Sequence, residues 1–523
     1  MLKGKKKIHI EISEQEVNQL VDEIESSNLS DGSREKLVNA LRALIELDRL
    51  VGLKSATIAR LRKIFGKQSE KVQQKGPQEK KPAHGNTGGS GRHGHDHYPS
   101  ASVQNHEIVN LKEKDSCPDC QKGKVYNWNP GIYVRVTGHP PLSVSIHKTQ
   151  KLRCNLCGKI FEAEFIGKGE DKFDAQAKAM IAILHYKSAL PFYRLEKLQE
   201  KLGFPVARST LWTQTENLAN QMILVWKVMV RKASEGELFF IDDTKARVLS
   251  LMRENELQEP NTKNRTGMYT TGILSETPEG KIILYFTGRK YSGENLEELL
   301  TRRQSQGPIA IMSDALNMNN IKDRVQEVLK YLCLTHGRRQ FKDIEQDFKS
   351  ESEFVLGLIS QVYANDQHCK DVSLSPEARL QYHQERSAQP MGELKTWIDK
   401  VFPNKLAEPN SKLGAGVKYL QKHWKGLTAF LRHPGAPLDN NILEQQLRIP
   451  VLNRKNFLFF KSEYGAFVGD ILLSIIKTCD ISEANAFDYM VAIQKNFELV
   501  RSNPDNWMPW NYTQNLGTVI QGQ

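Results

Sequence analysis

Three acidic side chains stand where charge is costly. Asp242 follows the apolar run Leu238-Phe239-Phe240-Ile241, and Asp314 follows Ile309 to Met312 with only Ser313 between. An ionised carboxylate at the end of a buried strand is expensive unless something positive meets it. Two such strands side by side bring both carboxylates to one sheet edge, where they repel unless a divalent cation lies between them. Oxygen donors of this kind suit Mg²⁺ or Mn²⁺. The third acid lies in PLDNNILEQQLRIPVLNRKNFLFF, residues 437–460. There Pro437 and Asp439 start a helix carrying Glu444 about one and a half turns in. Leu443 and Leu447, four apart, give that helix an apolar stripe. Asp242, Asp314 and Glu444 together suit two metal ions about 3.5–4 Å apart, clamping the attacking and leaving oxygens of a displacement at phosphorus. Water or a DNA 3′-hydroxyl is the nucleophile for such a site. Plainer readings stand beside this one. Asp243 competes for the first position and Asp439 for the third, and Glu444 is spaced from Arg448 as an ordinary helical ion pair.

A second set of residues suggests a different metal. Four of the seven cysteines form CPDC (Cys117, Cys120) and CNLC (Cys154, Cys157), separated by the strand-like GIYVRVTG and LSVSIHKTQ. Paired CxxC knuckles around a β-rich segment predict an elongated zinc ribbon. Four thiolates leave no open position, so this Zn²⁺ is structural. The basic residues Arg448, Arg454 and Lys455 are placed to meet DNA phosphates. Phe457, Phe459 and Phe460 either pack beneath them or stack on bases.

These residues must be positioned by several domains, since 523 residues exceed one hydrophobic core. A formal charge of +12 and a pI near 9.1 favour a polyanionic partner. With 39% hydrophobic residues, no apolar run long enough to span a bilayer and no secretory leader, the cytoplasm is the expected location. Residues 13–65 are helix-prone, and Leu37, Ala40, Leu44, Leu47, Val51, Ile58, Leu61 and Phe65 form a heptad seam broken by Lys54. The seam serves a coiled coil or a helix packed on its own protein. The Lys- and Gly-rich stretch 67–108, with His84, His93, His95 and His97, reads as a flexible basic linker. Residues 172–234 read as helices, with Ser209 and Thr210 as a cap for the second; the pair suits either a helix-turn-helix or packing between domains. Three antiparallel strands, a helix and two further strands then describe an α/β sheet.

Five blocks resemble the insertion sequence 66 family of bacterial transposases: FGKQSEK (65–71), the CPDC…CNLC pair, LPFYRLEKL (190–198), IDDT (241–244) with SDA (313–315), and APLDNNILEQQLRIPVLNRKNFLFFKSEYGA (436–466). The resemblance implies a multidomain α+β protein with a ribonuclease-H-like core and a DDE site of Asp242, Asp314 and Glu444. It also implies an all-α insertion over about residues 345–420. CLTH (333–336) is similar to a C-x-x-H motif of related transposases, giving His336 an auxiliary role. Where the family often has Pro after its first acidic motif, this chain has Lys245. The expected domains are a helical region 1–70, the linker 71–108, the ribbon 109–168, a helical and possibly DNA-binding region 169–235, core 236–344, insertion 345–420, core 421–482 and tail 483–523. The implied activity is metal-dependent cleavage of transposon ends and joining to target DNA. Expected partners are terminal inverted repeats, target DNA, further copies of the chain at synapsis, and accessory proteins encoded by the element. The competing readings are a domesticated zinc-containing DNA-binding regulator without catalysis, and a nuclease that cuts without joining.

Overall fold

The computed structural model describes residues 111–118, 121–127, 140–155, 159–164, 171–257, 265–316 and 327–520, with isolated positions elsewhere, among them Leu37 and Asn319. Apart from Leu37 the heptad seam lies outside the described residues, as do His84, His93, His95, His97, Cys120 and Cys157. The chain divides into two compact units, Met1–Arg135 and Val136–Gln523. In the first, the chain turns sharply after Cys117, whose N–H donates to the Gly123 carbonyl at 2.8 Å and whose carbonyl accepts from Gln121 at 2.9 Å. In the second, β1 (Lys151–Arg153) and β2 (Ile160–Glu162) form a short antiparallel hairpin, with Cys154 at its turn.

Helices α1 (Ala175–Ala182), α2 (Phe192–Lys201) and α3 (Arg208–Ser234) follow. Ala207 is the N-cap of α3, so Ser209 and Thr210 sit inside its first turn rather than capping it. Its buried Leu218, Met222, Val225 and Met229 recur every three or four residues. That face packs against the sheet, which makes α3 a core helix.

The sheet has five strands: β3 (Leu238–Lys245), β4 (Tyr269–Thr277), β5 (Gly280–Gly288), β6 (Ile309–Ser313) and β7 (Val328–Leu332), in the order β5-β4-β3-β6-β7. β3, β4 and β5 are antiparallel, β4 and β5 being joined by a tight turn, whereas β6 and β7 run parallel to β3. Helix α4 (Leu249–Glu256) lies between β3 and β4, and α5 (Ser292–Leu300) makes the crossover from β5 toward β6. After β7 come α6 (Leu334–Lys342) and then only helices: α7 (Lys349–Asp371), α8 (Pro376–Arg386), α9 (Ala388–Val401) and α10 (Lys412–Leu427). Next is α11 (Asn441–Phe457), laid on β3 and β4, and α12 (Glu463–Ile481), laid along β5. Among the described residues no helix is long and apolar enough to cross a membrane.

Candidate active site

Strand register brings two of the three acids level. Phe240 of β3 pairs with Met312 of β6 in parallel register. Two residues further along each strand stand Asp242 and Asp314. Parallel strands keep equal offsets, so both carboxylates arrive at the same edge and on the same face. β7 continues the alignment, because Ser313 pairs with Leu332 and the Cys333 N–H donates to the Ser313 carbonyl at 2.9 Å.

The third acid arrives on α11, whose approach depends on a small residue. Gly272 is the β4 partner of Asp242. A Cβ there would lie 3.0 Å from Leu447 Cδ2 and 3.2 Å from Leu443 Cδ1, so a side chain would push the helix outward. Leu443 and Leu447 are both buried on this contact, each worth about 1.5–3 kcal/mol. The helix begins one residue later than Asp439 would place it. Asn440 is the N-cap position, and Glu444 falls in the first turn. The Asn440 side chain is engaged elsewhere, donating from Nδ2 to the Ile241 carbonyl at 3.1 Å, immediately before Asp242. This bond joins the start of the Glu444 helix to the middle of the Asp242 strand.

Pro450 lies inside α11 and removes the hydrogen bond that the Gln446 carbonyl would accept. The hydroxyl of Tyr285, buried on β5, donates to that carbonyl at 3.0 Å. Phe457 closes the helix by stacking on His185, with ring centroids 4.0 Å apart; Phe192 stacks on the same imidazole at 3.7 Å. Phe460 packs with Val248, Leu251 and Ala466. Those two aromatics belong to the interior, while Phe459 is exposed.

Burial pushes the Asp242 carboxyl up to about 7; the Asp243 N–H acts in the opposite direction, and the charges of Asp314, Glu444 and Asp243 add to the rise. The three predicted acids are therefore close enough to repel. Asp243 plays another part. Its Oδ1 accepts from Thr271 Oγ1 at 2.6 Å and its Oδ2 from the Ser292 N–H at 2.8 Å. Ser292 Oγ donates to Asn319 Oδ1 at 2.5 Å, and Asn319 Nδ2 donates to Asp314 Oδ1. A buried chain of hydrogen bonds thus runs from Asp243 to Asp314. Sequence reasoning missed Asn319 and Ser292; the asparagines of DALNMNN were the available signal.

His336 lies beside Glu444, its Nδ1 3.8 Å from Oε1. Arg448 and Lys455 are exposed, and with Glu444 they repeat at four and eleven residues, which aligns them on one face of α11. Arg454 turns aside and donates to the Lys245 carbonyl. With Lys245, Arg247 and Leu458 it lines an open cleft of about 300 Å³. Of the four cysteines expected to bind zinc, Cys117 and Cys154 are described, Cys117 in the first unit and Cys154 in the second.

An α+β protein whose mixed sheet gathers carboxylates at one edge, beneath a helix carrying basic residues, has the makings of a nucleic-acid-processing protein. Comparison with known proteins narrows this. Residues 172–467, more than half of the chain, match the family described as Transposase IS66 family. The chain belongs to the IS66 family of transposases. Three similar proteins come from Sinorhizobium fredii (strain NBRC 101917 / NGR234), each described as uncharacterized. They are y4jD, 27% identical over 34% of this chain and 35% of its own length; y4qI, 22% identical over 64% and 62%; and y4hP, 31% identical over 54% and 51%. The chain therefore spans between 35% and 62% of the length of these relatives.

Proposed function

We propose that the protein cleaves transposon ends and joins them to target DNA by divalent-metal-dependent phosphoryl transfer at Asp242, Asp314 and Glu444. The observation that supports this reading is the shared register of β3 and β6, which sets Asp242 within β3 level with Asp314 just after β6, with the charge of Glu444 felt at Asp242. In this reading the five-stranded sheet is a ribonuclease-H-like core and α7 to α10 are its insertion.

The donor set fits Mg²⁺ or Mn²⁺. The Asp242 carboxyl is pushed up to about 7 by burial, and the neighbouring charges of Asp314 and Glu444 add to the rise, a repulsion that a divalent cation would relieve. When bound, such ions stabilise charge on the attacking and leaving oxygens. The chain's own residues supply position. Asn319 orients the Asp314 carboxylate, Asn440 ties the Glu444 helix to the Asp242 strand, and the buried sheet edge limits water. Arg448 and Lys455 extend away from Glu444 over about 16 Å of helix, a path for a DNA backbone at roughly one phosphate per 3.4 Å of axis on each strand.

The test is strand transfer by purified protein on duplexes carrying the element's ends, with Mg²⁺ present. Joined products should form with the native protein and fall at least about a thousandfold in Asp242→Asn, Asp314→Asn and Glu444→Gln, each retaining DNA binding. Undiminished joining in any of the three removes that residue from the site. Binding without any cleavage by the native protein would instead identify a regulator.

A further inference from the structure

Glu444 has a second set of neighbours, and they are not oxygen donors. Cys333 follows β7 and is the N-cap residue of α6. Its position is fixed twice, by its own N–H donating to Ser313 O and by its Sγ accepting the Asn440 N–H at 3.4 Å. His336 comes three residues later, so its ring falls on the side of the helix that carries Cys333. Glu444 Oε1 lies 3.8 Å from His336 Nδ1 and 4.0 Å from Cys333 Sγ. The sulfur, nitrogen and carboxylate oxygen all fall within 4.8 Å of one another.

None of these separations is a hydrogen bond of ordinary length, and the site shows the consequence. His336 Nδ1 is a buried atom with no hydrogen-bond partner among the described residues, and the same holds for Asn440 Oδ1 close by. A buried polar atom left unpaired costs about 1–3 kcal/mol, and two at one spot indicate a missing partner. The spacing identifies it. Ligands about 2.0–2.3 Å from a tetrahedral ion stand roughly 3.3–3.8 Å from each other. Small side-chain rotations would contract this triangle to that size. A thiolate, an imidazole and one carboxylate form a borderline-soft set, unlike the all-oxygen cluster of Asp242, Asp314 and Glu444.

We infer that Cys333, His336 and Glu444 form a second cation site, selective for Zn²⁺-class ions over Mg²⁺, that shares Glu444 with the carboxylate cluster. Three protein ligands leave a fourth position open. A carboxylate drawn toward Cys333 and His336 is drawn from Asp242 and Asp314. Zinc in this site is therefore an inhibitor of the Mg²⁺-dependent reaction, a consequence that rests on the function proposed above; the site itself does not.

Cobalt(II) is the probe, added to full-length protein whose ribbon cysteines keep the zinc with which it was isolated. The native protein should take up one more Co²⁺ per chain than Cys333→Ser and show a thiolate-to-cobalt charge-transfer band that the variant lacks. His336→Asn, at a half-exposed position, should weaken Co²⁺ binding at least tenfold, and Glu444→Gln likewise. Asp314→Asn should leave the band in place. In strand transfer, micromolar Zn²⁺ should inhibit the native protein and spare Cys333→Ser. Equal cobalt uptake and identical spectra in the native protein, Cys333→Ser and His336→Asn would overturn the site. A Cys333-dependent band in protein inactive toward DNA would support the site while counting against the transposase chemistry. Full activity without such a band would remove the site alone.

Discussion

Asn319 shows how little the reactive groups themselves determine. Asp314 follows its strand by a single residue, and a strand-end carboxylate has several rotamers open to it. Asn319 fixes one of them, and Ser292 in turn orients the asparagine by donating to its Oδ1. The outer end of the chain is Asp243, held by Thr271, to which Asn295 Nδ2 donates at 2.7 Å. Partners one step removed from a metal ligand commonly carry ten- to hundredfold effects on affinity or activity. Asn319→Ala should therefore raise the Mg²⁺ concentration for half-maximal joining by about ten- to a hundredfold while DNA binding stays unchanged, readable from a metal titration. Asn319→Asp, which places a second negative charge against Asp314, should be worse than Asn319→Ala; the reverse order would show that the lost side-chain volume matters more than the added charge. Asp242 and Asp314 stand out in the sequence because each follows an apolar run, but Glu444 does not, and the trio is singled out by resemblance to the family's blocks. Choosing Asp242 over Asp243 was not legible from composition: it depends on Thr271 and Ser292, which occupy both oxygens of Asp243 and come from other elements.

Helices α11 and α12 are written for the sheet they cover, and the pattern appears only once both are in view. Along α12, Asp470, Ser474 and Thr478 repeat every four residues, about 6 Å apart in a helix. On β5, Thr287, Tyr285 and Ile283 point their N–H groups outward at every second residue, about 6.6 Å apart. The spacings match, and those N–H groups donate to Asp470 Oδ2 at 2.7 Å, Ser474 Oγ at 3.0 Å and Thr478 Oγ1 at 3.0 Å. An exposed edge strand invites pairing with another chain, and this polar stripe closes it. The periodicity of DILLSIIKTCD marks a helix, but its polar residues gain meaning only from β5. The start of α11 was misplaced at Asp439 for the same reason, since Asn440 is committed to a strand distant in sequence. Two outcomes test these contacts. Tyr285→Phe leaves the Gln446 carbonyl without its donor, and should destabilise the protein by about 1–3 kcal/mol with an unchanged denaturant slope. Asp470 is fully buried, and burial pushes its carboxyl up to about 7 against the opposing bonds from Thr287. The folded state therefore holds a proton that an unfolded aspartate releases near pH 4, so this group's contribution to stability is complete below about pH 4 and is lost as pH rises through 7. Asp470→Asn should remove that window: the stability of the native protein relative to the variant should fall between those pH values, and a constant difference would mean the carboxyl is ionised throughout.

At the scale of the whole molecule the question is where a polyanion runs on a chain of net charge +12. Net charge alone gives attraction without a path. The path comes from which cations are committed to carboxylates. Among helices α7 to α10, taken above as an insertion, Lys395 pairs with Asp399 at 2.5 Å and Lys412 with Asp347 at 3.1 Å. Exposed cations around the carboxylate edge include Arg448 and Lys455 on α11, and Lys245 and Arg247 on the cleft beside β3. Three residues of strand put Lys245 about 10 Å from Asp242, roughly three nucleotides along one strand. Each phosphate contact releases bound counterions, so removing one contact lowers the slope of log affinity against log salt by about 1. Arg448→Ala, Lys455→Ala and Lys245→Ala should each lower the slope by about that amount, measured by fluorescence anisotropy on duplex DNA. Lys395→Ala and Lys412→Ala should leave it unchanged. If the insertion variants reduce the slope as much as the α11 variants do, the DNA crosses the insertion, and the stripe running from Glu444 along α11 is only a solvated face.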